Sequence, residues 1–207
     1  MSTAPPPDLQ TLATTLNADI KDARAAGDIP AMLAAAANAI ATLEAALAAA
    51  PEAGTEERRK SLETAQRIAY NVAADVYPGW EINSPARTGA ELLAAQNLAR
   101  QAQDFVEQTG GNPIQRGNAT WLIAALDLAL GHRAEAAAGF RDATSQFSAA
   151  PEMALMAQGY ALIAEGETGV DDVLTALTAI GSEDALELHS QLTTAAQIFS
   201  THPQNPL

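Results

Sequence analysis

The stretch Trp121–Ala143 reads WLIAALDLALGHRAEAAAGFRDA, and it decides the fold of the chain. Nine of its first ten residues are apolar, with Asp127 as the exception, so a helix formed by them needs cover on more than one side. Gly131 suits the left-handed position that ends a helix. Beyond it, Ala136 and Phe140 lie four residues apart on one face of a second helix. The stretch therefore predicts a helical hairpin that must pack on further hairpins.

This pattern resembles the tetratricopeptide repeat, in which small and aromatic residues stand at fixed places around a turn glycine. The resemblance is clearest over residues 117–151, and the residues that carry it are Ala124, Gly131, Ala136, Phe140, Ala143 and Pro151. The family's fold implies a right-handed α-solenoid of about four hairpins, closed by a C-terminal capping helix. The first helix of each hairpin would then line a concave groove that holds a peptide or a partner helix.

The rest of the chain carries weaker signals of the same kind. Gly27, Gly79 and Gly166 stand between long alanine-rich segments and are expected to be turn glycines like Gly131. Alternating runs of valine and isoleucine are missing, so no strand is expected. We predict an all-α protein with one domain over residues 1–207, in which residues 1–7 and 201–207 are disordered tails.

The net charge of −14 argues against duplex nucleic acid and anionic membranes as partners, because both are bound by clustered Lys and Arg. The charge is uneven: from Asp142 to Leu207 there is no Lys or Arg, against nine acidic residues. This acidic third either keeps the protein soluble or forms a face that attracts a basic partner.

The chain contains no cysteine, which excludes disulfides and thiolate metal sites. Its first residues, MSTAPPPD, do not have the basic and then apolar pattern of a signal peptide. The long apolar segment Ala31–Ala50 is mostly alanine and is interrupted by Asn38 and Glu44. We interpret it as a core helix and not a membrane span. A cytoplasmic location is therefore expected.

The sequence shows no catalytic, cofactor-binding or metal-binding pattern. None of its three histidines has a second histidine or a carboxylate at ligand spacing on the same helix face. The acidic pair Asp171 and Asp172 is explained by the dipole at a helix start. The one basic cluster, residues 58–60, is expected to pair with Glu56, Glu57 and Glu63 on a solvated face, with a docking site as the alternative. The protein is therefore expected not to be an enzyme.

Polar stripes on the first helices are the candidate partner-binding residues, with an ordinary solvated face as the alternative for each. These residues are Asn17, Lys21, Arg67, Asn71, Asp75, Arg116, Thr120 and Asp127. Trp80 is a further candidate, since tryptophan often anchors an interface. The alternative for Trp80 is a ring that folds back and plugs the gap between hairpins.

Three functional classes follow from these observations. The first is a non-enzymatic adaptor, or a chaperone for one client, that binds another protein or peptide, with a basic one favoured by the acidic surface. The second is a structural subunit that associates through its terminal helices or the Trp80 loop. The third is an all-α enzyme that uses scattered carboxylates, which is disfavoured because perturbed acid and base groups normally cluster.

Overall fold

The computed structural model describes residues 9–50 and 54–200. Within these ranges the secondary structure consists of nine α-helices and a 3₁₀ turn, Pro78–Trp80, without any strand. The helices are α1 (Leu9–Ala26), α2 (Ile29–Ala49), α3 (Thr55–Val76), α4 (Gly89–Gln108), α5 (Pro113–Ala129), α6 (Arg133–Gln146), α7 (Pro151–Glu165), α8 (Val170–Ile180) and α9 (Glu183–Ser200). The all-α prediction is confirmed for the described ranges, while the predicted tails lie outside them.

Side chains in the connections start several of these helices. The Asp28 carboxylate caps α2 by accepting a hydrogen bond from a backbone N–H of its first turn. Thr88 and Glu91 form a reciprocal capping box at α4, and Asn112 and Gln115 form another at α5. The connections between successive helices are mostly short, which makes neighbouring helices antiparallel.

Three of the four glycines predicted at turns have the expected backbone conformation. Gly27, Gly131 and Gly166 have positive φ angles, which cost glycine little because it lacks a Cβ atom. Gly79 is different, because it lies inside the 3₁₀ turn and a Cβ atom there would come within 2.3 Å of the Tyr77 ring. Its role is therefore to let that ring pack against the backbone.

Helices that follow each other in the chain pack on each other, and one continuous core of buried side chains runs from α1 to α9. In the hairpin of α5 and α6, a Cβ atom at Gly139 would lie 2.8 Å from that of Ala124. The two backbones are therefore very close, as the small residues of this stretch predict. Phe140 fills the space beside them and is fully buried.

Helix α9 contacts elements from distant parts of the chain. It packs on α7 as well as on α8, and it also reaches the 3₁₀ turn after α3. The contact with α7 depends on Gly159, where a Cβ atom would lie 2.4 Å from a methyl group of Leu192. The glycine thus leaves room on α7 for the fully buried Leu192 side chain of α9.

Helix α2 is long and apolar enough to cross a membrane, judged by length and composition alone. In the structure it packs against α1, α3 and α4. Met32, Ile40 and Leu43 of α2 are almost completely buried in these contacts. The interior side chains of α2 thus contribute to the protein core, as the sequence interpretation predicts.

We expect Gly159→Ala to destabilise the protein, although alanine is the better helix former by about 1 kcal/mol. Overpacking against Leu192 costs about 1–3 kcal/mol and outweighs that gain. In a Leu192→Ala background the clash is absent, so the same substitution should stabilise. Urea unfolding of the four proteins of this double-mutant cycle measures the coupling. An equal effect of Gly159→Ala in both backgrounds would contradict the close contact of α7 and α9.

Candidate functional site

The candidate residues of α1 and α3 lie on neighbouring helices. Arg24 Nε of α1 donates to Asp75 Oδ2 of α3 at 2.7 Å, so Asp75 is engaged in an ion pair. Both helices are connected to α2 by short segments and run antiparallel to it, which gives them the same direction. Lys21 precedes Arg24 by one turn, and Asn71 precedes Asp75 by one turn. The two predicted stripes therefore run side by side.

We call the surface formed by Asn17, Lys21, Arg67 and Asn71 the α1/α3 face. Lys21, Arg67 and Asn71 are exposed, and Asn17 is partly buried. On each helix, the two residues lie one and two turns before the member of the Arg24–Asp75 pair. They therefore form one row on α1 and one row on α3, both on the side of the helices that carries the ion pair. The structure thus brings together four of the predicted site residues.

The α1/α3 face carries two cationic side chains that form no ion pair within residues 9–50 and 54–200. The chain has 11 Lys and Arg residues, and seven of them contact a carboxylate or a backbone carbonyl: Arg24, Arg58, Arg59, Lys60, Arg87, Arg133 and Arg141. Lys21 and Arg67 make no ion pair with any residue that the structure describes; Arg67 only approaches Thr64 Oγ1 at 3.4 Å. Two uncommitted cations thus lie on one face of a protein whose net charge is −14.

The predicted stripe on α5 does not continue this face. Thr120 lies between α4 and α6, where its hydroxyl contacts Gln103 Nε2 at 3.4 Å and Gln146 Oε1 at 3.3 Å. Arg116 is exposed near the start of α5. The polar residues of α5 therefore face neighbouring helices or solvent at a different place from the α1/α3 face.

Asp127 requires a correction, because it is 8% exposed and does not lie on an exposed stripe. Its carboxylate accepts a hydrogen bond from Gln96 Nε2 of α4 at 2.6 Å and lies 3.2 Å from His132 Nδ1. The reason is that α5 is covered on several sides, so its single acidic residue lies at a helix contact and needs a buried partner.

Six of the nine aromatic residues collect in one group, which we call the aromatic cluster. Its members are Tyr77, Trp80, Trp121, Phe140, Tyr160 and Phe199. Trp121 is central, with ring centroids 5.1 Å from Tyr160, 5.8 Å from Trp80 and 6.0 Å from Tyr77. The cluster thus joins the segment after α3 to α5, α6, α7 and α9.

The Trp80 ring folds inward and is only partly exposed. Its indole N–H donates to Ala74 O at 2.7 Å, and the ring packs edge-on against Tyr77 at 5.2 Å. This is the geometry that the plug interpretation predicts. A role for Trp80 in binding a partner stays a prediction.

The chain itself covers the side of α5 and α7 that carries Trp121 and Tyr160. Phe199 of α9 stacks on Tyr77, with centroids 6.1 Å apart. Arg133 donates to Ala164 O at 2.9 Å and to Phe199 O at 3.4 Å, which ties the end of α7 to the end of α9. The sequence analysis did not predict the packing of Phe199 on Tyr77. The only signal for it was that the chain has few aromatic residues, which favours their meeting in one core.

Three polar atoms of the aromatic cluster are buried without a hydrogen-bond partner: Tyr77 Oη, Tyr160 Oη and Trp121 Nε1. Burial raises the pKa of Tyr77 well above its usual value, and the neighbouring Tyr160 adds to this. Burial likewise raises the pKa of Tyr160. The two hydroxyls are close enough to influence each other, but they do not meet the geometry of a hydrogen bond.

The basic cluster at residues 58–60 makes contacts along its own helix and with α2. Arg59 pairs with Glu56 and Glu63, and hydrogen bonding from Arg59 lowers the pKa of Glu56. Lys60 also pairs with Glu56, whereas Arg58 donates to Leu47 O of α2 at 3.2 Å. The predicted pairing is therefore observed for two of the three glutamates. Within residues 9–50 and 54–200 no group of three or more His, Asp or Glu residues is arranged to hold a metal ion.

We expect Asp127→Ala to destabilise the protein by about 1–3 kcal/mol, because it leaves the buried Gln96 amide without its acceptor. Asp127→Asn should cost less, since the Asn side-chain oxygen can accept the same hydrogen bond. Urea unfolding at neutral pH measures both. Equal losses for the two variants would contradict the role assigned to the Gln96 contact.

We expect Tyr77→Phe and Tyr160→Phe each to leave stability unchanged or to raise it, because each removes a buried hydroxyl that has no partner. The pKa of both tyrosines is raised, so above about pH 10 the folded state keeps protons that the unfolded chain loses. Stability should therefore fall with rising pH by up to about 1.4 kcal/mol per unit for each tyrosine. The double variant should show a shallower fall in urea midpoint between pH 8 and pH 11. A slope identical to that of the natural sequence would contradict this account.

No protein-family model matches the sequence, and comparisons with curated proteins and with solved structures also give no significant match. The resemblance to the tetratricopeptide repeat therefore stays a prediction, carried by Gly131, Ala136, Phe140 and Ala143.

Proposed function

We propose that this protein is a non-enzymatic, cytoplasmic binding module, either an adaptor or a chaperone for one client. Its helices would form a right-handed solenoid of tetratricopeptide-like hairpins, and the α1/α3 face would bind a peptide or a helix of another protein. The observation that carries the proposal is the α1/α3 face itself, where two rows of polar side chains run side by side on parallel helices.

Contacts between alternate helices support an ordered row of hairpins. Arg24 and Asp75 join α1 to α3. Tyr77, directly after α3, contacts Trp121 of α5, and Trp121 contacts Tyr160 of α7. First helices of successive hairpins therefore touch in chain order, as they do along the inner side of a solenoid.

The chemistry of the α1/α3 face suits a polypeptide that contains acidic residues. Asn17 and Asn71 carry amides that can both donate to and accept from a peptide backbone. Lys21 and Arg67 supply charges that no carboxylate of the described chain neutralises, so a carboxylate of the partner can do so. The α1/α3 face would therefore bind an acidic polypeptide, whereas the acidic C-terminal third would attract a basic one.

The dimensions also suit a peptide. Asn17 and Arg24 are seven residues apart on α1, which corresponds to about 10 Å at 1.5 Å per residue. An extended peptide rises by about 3.3 Å per residue, so this part of the face offers room for about three peptide residues. The exposed Lys21, Arg67 and Asn71 lie along this length.

The test is affinity capture from the native cell with the double variant Arg67→Ala plus Asn71→Ala. The matched control is Asn97→Ala plus Arg100→Ala, which removes the same residue types from exposed positions on α4. We expect the α3 variant to lose a partner that the control retains, and an affinity at least about tenfold weaker for that partner, equivalent to about 1.4 kcal/mol.

Circular dichroism should give the same helix content for all three proteins, so that a loss of partner reflects the surface and not the fold. A captured set that is unchanged in the α3 variant, or reduced equally in the α4 control, would rule out the α1/α3 face as the binding site.

A structural subunit is the second candidate, and it is favoured by exposed apolar side chains near the ends of the last two helices. Ile180 of α8 is 42% exposed and Leu186 of α9 is 50% exposed. Association through these helices would give a stable assembly of defined mass in light scattering, and Leu186→Glu would dissociate it.

A further inference from the structure

An open groove of about 450 Å³ lies between α8 and α9, far along the chain from the α1/α3 face. Its apolar lining comes from Val170 and Leu174 of α8 and from Ala196 of α9, which are all only partly buried. Glu167 and Asp171 contribute exposed carboxylates to the same lining. The groove therefore combines apolar surface with negative charge.

A further exposed apolar side chain lies on α9 beyond the groove. Thr193 lines the groove, and Leu186 lies seven residues before it, which is two helical turns along the same side. Leu186 is 50% exposed, so its side chain is available to a partner. A docked segment of about three helical turns could contact both the groove and Leu186.

The carboxylates of the groove form no ion pair with the residues that the structure describes, and the guanidinium of Arg133, which lies near Gly166, donates to backbone carbonyls at the end of α7. From Asp142 onwards the chain has no Lys or Arg, and the ion pair between Arg141 and Glu165 involves neither Glu167 nor Asp171. Within the described ranges, neither of these two carboxylates takes part in an ion pair. The start of α8 explains a negative charge at Asp171, but Glu167 precedes the helix.

We propose that this groove, together with Leu186, docks a basic amphipathic segment of a partner protein. The alkyl stem of a Lys or Arg side chain lies on Val170, Leu174 and Ala196, and its charged end reaches Glu167 and Asp171. An apolar side chain of the same segment packs on Leu186. A second copy docked symmetrically through its own α8 and α9 is excluded, because these helices carry no Lys or Arg. The proposal does not depend on the α1/α3 face.

The probe is a fluorescein-labelled helical peptide of lysine and leucine, about 14 residues and about 21 Å long. Its binding to the full chain is followed by fluorescence anisotropy at low and at physiological ionic strength. The groove variant is Glu167→Gln plus Asp171→Asn. The matched control is Asp104→Asn plus Glu107→Gln, which removes the same two charges from exposed positions on α4.

We expect the groove variant to bind the peptide about tenfold more weakly than the natural sequence, while the control changes affinity by less than about twofold. A second pair tests the apolar contact: Leu186→Ala should weaken binding, whereas Leu93→Ala, at a leucine 48% exposed on α4, should not. An equal loss of peptide affinity in the groove variant and in its charge control would mean that the peptide responds only to the net negative charge of the protein. That result would overturn the proposal.

Two further ligands test whether the groove binds an amphipathic peptide or any polyamine. A glutamate and leucine peptide of the same length should not bind, and spermine should displace the labelled peptide only weakly. Displacement by spermine as effective as that by unlabelled peptide would overturn docking of an amphipathic segment, as would unchanged binding in Leu186→Ala. The variant Arg67→Ala plus Asn71→Ala should bind the lysine and leucine peptide as tightly as the natural sequence does. This result would show that the peptide binds at the groove and not at the α1/α3 face.

Discussion

Contacts among six aromatic rings join distant parts of an interior whose other side chains are mainly alanines and larger aliphatic residues in similar numbers. Trp121 lies at the centre, in contact with Tyr77, Trp80 and Tyr160, and Phe199 closes the cluster from the last helix. Each alanine buries little surface, whereas each aromatic ring buries much more and gains from edge-to-face geometry. Because these rings come from distant parts of the chain, they determine how the hairpins are joined.

The cluster also determines which surfaces remain for partners. Helix α9 and the 3₁₀ turn cover the side of α5 and α7 where Trp121 and Tyr160 lie, so a groove running the whole length of the first helices is not open. The uncovered surfaces have opposite charge: cations on the α1/α3 face, and carboxylates around the groove of α8 and α9. The two proposed binding surfaces would therefore select partner segments of opposite charge.

Local chemistry explains where sequence reasoning succeeded and where it failed. Thr88, Asn112 and Gly131 act on their own helix ends, so the boundaries of α4, α5 and α6 could be predicted from neighbouring residues alone. Lys21 and Asn71 were predicted as surface residues from helical spacing, and both are exposed. Asp127 has the same kind of spacing but is buried against Gln96, because the face that a helix exposes depends on which helices cover it.

The sequence by itself determined the all-α class, the turns at Gly27, Gly131 and Gly166 and the separation of charge along the chain, since these depend on residues close together in the chain. Only the tertiary structure decided that Gly159 accommodates Leu192 and that Phe199 reaches Tyr77. It also decided that Arg24 pairs with Asp75 across 51 positions. Such contacts require distant segments to meet, and helical periodicity carries no information about which distant segments do so.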